Sequence, residues 1–180
     1  MRSILHEYRP ALIFLVVFIG LYLVLNTVYG LFITSFLPGA DSVTKVVTQQ
    51  VAYVLSFFHE EISVMPDDTS RFIPILLSGT VIVNVFEGCN GINVMIVYLS
   101  FLIAFRGTWK NTLYVGFGGI VIIYIMNLLR VGLLFEVALN FPNQLYFFHK
   151  FLFTGFIYAV VFVIWYYWIR HVRRSYSTEA

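Results

Sequence analysis

Thr80-Val81-Ile82-Val83-Asn84-Val85-Phe86, then Glu87-Gly88-Cys89-Asn90-Gly91, then the apolar run from Ile92 to Phe105: over these residues the chain passes from a strand to a membrane segment. The β-branched residues of the first part favour an extended chain. The unbroken apolar run of the last part favours a helix in lipid. Between them lies the only cysteine of the protein, framed by Gly88 and Gly91 and close behind the carboxylate of Glu87. A lone thiol at the mouth of a membrane segment is an unusual placement. The rest of the chain is read for what it brings there.

The composition agrees with a lipid environment. Of 180 residues, 60% are hydrophobic and only 11% charged, with 19 Phe and 12 Tyr. An ordinary soluble domain carries about 25% charged residues. A single cysteine excludes an internal disulfide and a cysteine-rich metal cluster. No nucleic-acid partner, cofactor or metal is expected. Four apolar runs are candidate spans, at about 11–36, 90–105, 112–134 and 148–169. A spanning helix needs about 20 apolar residues, so the second is short. The first is too long for a cleaved signal peptide, lacks a small-residue cleavage site before Pro38, and reads as a retained anchor.

Charge sets the orientation. Arg2 and Arg9 precede the first run, Arg106 and Lys110 separate the second and third, and Arg170, Arg173 and Arg174 follow the fourth. The other two connections set Lys45, Arg71 and Lys150 against Asp41, Glu60, Glu61, Asp67, Asp68 and Glu87. The positive-inside rule then puts both termini in the cytoplasm, with 37–89 and 140–148 on the far side. Within 37–89, Asp41 or Ser42 can cap a helix over 42–58 whose Val43, Val46, Val47, Val51, Val54, Leu55 and Phe58 form an apolar face. That helix is expected to lie on the membrane surface or over the bundle. Ile73–Leu77, Ser78-Gly79 and Thr80–Phe86 read as a β-hairpin with a two-residue turn. The expected fold is an all-α membrane protein, one integral membrane domain over 1–180. It has four transmembrane helices, with an extracytoplasmic amphipathic helix and a short β-hairpin between the first two.

Charged residues inside spans tend to be functional, and the third run carries Arg130. A helix entered near Thr112 places Arg130 about 27 Å along its axis, near the outer surface. His149 opens the fourth run and Cys89 the second, at the same level. Thiol, imidazole and guanidinium suit nucleophilic catalysis. His149 takes and returns the thiol proton, and Arg130 stabilises a thiolate or an acyl-transfer oxyanion. Asn127, three residues before Arg130, shares its helix face. Gly88 and Gly91 would let a substrate backbone approach the sulfur.

Each residue also has an ordinary structural reading. A cysteine near lipid is commonly an inert apolar side chain. Arg130 can snorkel to headgroups, His149 and Glu87 can be solvated polar residues, and Asn127 can bond a neighbouring helix. The joint placement favours chemistry. His59-Glu60-Glu61 lacks the H-E-x-x-H spacing of a zinc site. Trp165, Tyr166, Tyr167 and Trp168 read as an interfacial belt, and Gly116, Gly118 and Gly119 as close helix packing.

Glu87-Gly88-Cys89-Asn90-Gly91, Asn127-Leu128-Leu129-Arg130 and His149 followed by Gly155 together resemble the exosortase/archaeosortase family of membrane transpeptidases. That family carries an E-x-C-S-G-like motif, an N-x-x-R motif and a histidine opening the last core helix. The resemblance covers about 80–162. It implies Cys89 as nucleophile, His149 as proton shuttle and Arg130 as transition-state partner, with Glu87, Asn90, Gly91, Asn127 and Gly155 in support. It also implies a partner: an exported protein whose C-terminal sorting signal comprises a short motif, a transmembrane helix and a basic tail. The signal is cleaved and the new C-terminus passes through a thioester to an acceptor. Asn90 departs from the usual serine. The chain has four expected spans, where many exosortases have about twice as many. The compact form is similar to the exosortase F subgroup of Bacteroidetes. This implies a multi-pass protein of a Gram-negative inner membrane, with the site facing the periplasm. A non-catalytic scaffold of an export or polysaccharide assembly, and a membrane cysteine hydrolase, are the alternatives.

Overall fold

The computed structural model describes residues 8–105 and 107–178, with side chains described as far as Val172. Arg2, Glu7, Arg106 and Glu179, and the side chains of Arg173 and Arg174, lie outside what is described. Among the described residues, five long helices and a small sheet make up the fold. Helix α1 (Arg9–Thr34) leads into α2 (Ser42–Leu55), then β1 (Ile62–Val64), β2 (Ile73–Leu77) and β3 (Thr80–Val85). A 3₁₀ turn at Glu87–Cys89 follows, then α3 (Ile92–Ala104) and α4 (Trp109–Asn140). Short turns from Pro142 to Phe147 lead through a π-helical stretch, Phe148–Leu152, into α5 (Phe153–Thr178).

Among the described residues, three helical segments are long and apolar enough to cross a membrane: Arg9–Thr34, Trp109–Asn140 and Pro142–Val172. With 13 residues, α3 is about 20 Å long, short of a hydrocarbon core of about 30 Å. It lies against α1, α4 and α5. On α1, Phe14 and Phe18 meet Phe101 edge-on at 5.4 and 6.3 Å between ring centroids, while most of the helix faces outward. Tyr29 alone is buried on it.

Two apolar clusters organise the packing. The membrane cluster unites Met95, Tyr98 and Leu102 of α3, Ile123 of α4, and Val161, Trp168 and Val172 of α5. Gly119 permits the α3–α4 approach, because a Cβ there would fall 2.2 Å from the Tyr98 hydroxyl. Trp168 is almost fully buried and Trp165 stacks on Phe101 at 4.0 Å, whereas Tyr166 and Tyr167 remain exposed. The expected aromatic belt is therefore split: the tyrosines face out and the tryptophans pack in, since α5 turns residues 165 and 168 to one side.

The second cluster unites Val47, Val51 and Leu55 of α2 with Ile75, Val85, Cys89, Val131 and Phe135. Asp41 caps α2 through the amides of Val43 (2.9 Å) and Thr44 (3.0 Å). Next to the turn the hairpin pairs Leu77 with Thr80, as a two-residue turn requires, but a one-residue shift farther along puts Ile73 opposite Val85 rather than Asn84. Positive φ at Ser78 and Gly79 is the I′ geometry that suits strand twist. An irregularity between Ile75 and Leu76 lets both side chains bury. The sequence reading omitted β1, which pairs with β2 to make the sheet three-stranded. It also ended the third span at 134, whereas α4 continues to Asn140. Burial of Leu134 and Phe135 draws the helix on into the second cluster.

Candidate active site

The site forms where the two clusters meet. The 3₁₀ turn at Glu87–Cys89 hands the chain from β3 to α3, and Gly91 starts α3 with φ of +84°. Only glycine takes that conformation without strain. A Cβ on Gly91 would also stand 3.0 Å from the Asn127 side chain, and one on Gly88 would stand 2.5 Å from the Phe86 ring. The expected open approach to the sulfur at these glycines is therefore not present. Protein side chains fill the space, and the glycines serve close packing of the turn.

Asn127 is fully buried and donates from Nδ2 to the Cys89 carbonyl at 2.8 Å. Its Oδ1 accepts from Arg130 Nη1 at 3.5 Å. Arg130 is 8% exposed, so it does not reach out to headgroups. About 15 Å of α4 runs on beyond it, which places it inside the fold rather than at a helix end. Its Nε is buried and makes no hydrogen bond to a described residue. A buried guanidinium with a free donor is costly unless something else completes it.

Cys89 and His149 line one cleft of about 410 Å³, walled by β3, by Val131 and Leu134 of α4, and by Leu145 and Tyr146. Burial pushes the Cys89 thiol up, while the Arg130 charge and the Phe86 backbone pull the other way. His149 lies in the π-helical stretch, and its carbonyl accepts from the Thr154 hydroxyl at 3.0 Å. The wider winding of such a stretch re-aims a side chain and often marks a functional position. Nothing in the spacing of Phe148 to Leu152 announces it.

The supporting residues divide. Asn90 is fully buried, donates to Tyr29 Oη (2.6 Å) and Thr44 Oγ1 (3.1 Å), and accepts from the Ile92 amide (3.0 Å). Glu87 turns its carboxylate toward Arg71, at 3.6 Å, and its carbonyl accepts from Tyr29 at 3.4 Å. Gly155 lies on an exposed face of α5 with nothing within 4 Å of a Cβ. His59 pairs with Glu136 at 2.5 Å on another part of the fold. Sequence reading missed Tyr29, Thr44 and Tyr146 at the site. Their side chains sit on apolar or mixed stretches with no motif to mark them.

The family model described as Transmembrane exosortase (Exosortase_EpsH) matches residues 6–167. No curated protein and no solved structure shows significant similarity to the chain.

Proposed function

The chain belongs to the transmembrane exosortase family, and we propose that it is a membrane cysteine transpeptidase acting on C-terminal sorting signals of exported proteins. What supports this reading is the shared cleft of Cys89 and His149 beside a buried Arg130 whose charge is felt at the thiol and whose Nε makes no hydrogen bond to a described residue.

In this reading His149 takes the Cys89 proton as Sγ attacks the scissile carbonyl. A C–S bond forms and the carbonyl π-electrons move to oxygen. Arg130 supplies a fixed positive charge to that oxyanion without reorganisation. Collapse re-forms the carbonyl and breaks the C–N bond, and His149 returns its proton to the leaving amine. The product is a thioester on Cys89. An acceptor amine attacks it, His149 takes the amine proton, and the thiol is regenerated as the new amide forms.

The membrane arrangement belongs to the same proposal. Helices α1, α3, α4 and α5 form four spans, α3 completed by its neighbours, with both termini cytoplasmic. Arg9, Lys110 and Arg170 then lie on the cytoplasmic side, while α2 and the sheet roof the cleft and limit water. The compact form is that of the exosortase F subgroup of Bacteroidetes, in an inner membrane with the cleft open to the periplasm. The substrate's transmembrane helix presents its scissile bond at that level.

The test is processing of a co-expressed protein with a candidate sorting signal. Cys89→Ala is expected to leave it full length. Unchanged processing would overturn the enzymatic reading in favour of a scaffold. A free carboxylate at the new C-terminus would replace transfer by hydrolysis.

A further inference from the structure

A buried polar chain runs from the start of α2 to the turn that carries the thiol. Asp41 Oδ2 accepts from the Thr44 hydroxyl at 2.5 Å. Thr44 Oγ1 accepts one Asn90 amide hydrogen at 3.1 Å, and Tyr29 Oη accepts the other at 2.6 Å. The Tyr29 hydroxyl donates onward to the Glu87 carbonyl at 3.4 Å. The donor count closes. Thr44 and Tyr29 each have one hydrogen and spend it, Asn90 spends both of its amide hydrogens, and its Oδ1 takes the Ile92 amide. Asp41, Thr44 and Asn90 are almost wholly buried, and Tyr29 is the one buried residue of α1. A buried network with every member satisfied rigidifies what it touches. Here it touches both sides of Cys89, the Glu87 carbonyl before it and Asn90 after it. On the other face the Cys89 carbonyl is held by Asn127.

The geometry points to Asp41, Thr44 and Tyr29 as positioning residues of the thiol. Acting through Asn90, they clamp the Glu87–Asn90 turn so that Cys89 stays buried beside Arg130, in the cleft that His149 also lines. Helices α1 and α2 thereby do more than anchor and cover. Each contributes one hydroxyl to the placement of the nucleophile. The proposal takes its catalytic meaning from the transpeptidase reading. Its test reads the thiol itself, so either can fail without the other.

Cys89 is the only cysteine, so alkylation of the full-length protein in detergent reports that position alone. Thr44→Val keeps the shape and the backbone cap of α2 but removes the hydroxyl shared by Asp41 and Asn90. Alkylation of Cys89 is expected to accelerate about fivefold or more, the scale of one lost internal hydrogen bond. Tyr29→Phe is expected to do the same, and Thr44→Ser to keep the slow rate. A reference thiol, Val161→Cys in a Cys89→Ala chain, reports the membrane cluster and is expected to keep its rate when Thr44→Val is added. Unchanged Cys89 alkylation in both Thr44→Val and Tyr29→Phe would overturn the proposal. So would equal acceleration at the Val161→Cys position, which would mean general loosening rather than local positioning.

Discussion

Asn127 holds the Cys89 carbonyl at 2.8 Å, and so ties the middle of the longest helix to the turn that carries the only thiol. The same amide group receives Arg130 on its oxygen. One buried side chain thus fixes the two residues on which the proposed chemistry depends. Asn127→Ala would leave a buried carbonyl without its donor, a loss of about 1–3 kcal/mol. Denaturant unfolding in micelles measures it. A stability equal to the parent would show that the bond carries no weight.

Gly91 and Gly79 both have positive φ, but only Gly91 also faces a neighbour. A Cβ at Gly91 meets Asn127 at 3.0 Å, while one at Gly79 meets nothing within 4 Å. Gly79→Ala is expected to cost about 1 kcal/mol for conformation alone. Gly91→Ala is expected to cost more and, in addition, to displace Asn127 from the Cys89 carbonyl. Side-by-side unfolding curves with a Cys89 alkylation assay separate the two effects.

Gly119 sets the distance between α3 and α4, with the Tyr98 hydroxyl donating to the Val115 carbonyl at 2.7 Å across the contact. Gly119→Ala is expected to destabilise by about 1–3 kcal/mol through overpacking. Shortening the facing side chain with Tyr98→Leu should recover part of that loss, a coupling that a double-mutant cycle measures.

The pH dependence of Cys89 alkylation has a defined sign. Burial raises the thiol pKa and the Arg130 charge opposes the rise. The parent midpoint therefore lies above the ordinary thiol value of about 8.5. Arg130→Gln removes the opposing charge while burial persists, so its midpoint moves higher still. A midpoint that moves down, or stays in place, would show that Arg130 does not act on the thiol.

Much of this was legible in the sequence because it is written locally. The Asp41 cap and the Ser78-Gly79 turn follow from residues a few positions apart. Cys89 and His149, each placed by the sequence at the start of an apolar run, line one cleft. What escaped depends on distant partners. Three residues, Ile62 to Val64, are too few to declare a strand until β2 pairs with them. The last turns of α4 form because Leu134 and Phe135 find the second cluster. Trp168 is drawn inward because Gly107 leaves room, a Cβ there falling 2.4 Å from its ring. Asn90 looked like a replaced serine in a motif. In the fold its two amide hydrogens join α1 and α2, which a single hydroxyl hydrogen cannot do.

The most direct test of the proposed chemistry is mass spectrometry of Cys89 in membranes co-expressing this chain with a candidate sorting-signal protein. An acyl adduct on Cys89 that hydroxylamine removes, with its yield altered in His149→Ala, is the predicted result. With a substrate whose processing depends on this chain, an unmodified Cys89 together with unchanged processing in Cys89→Ala would contradict it.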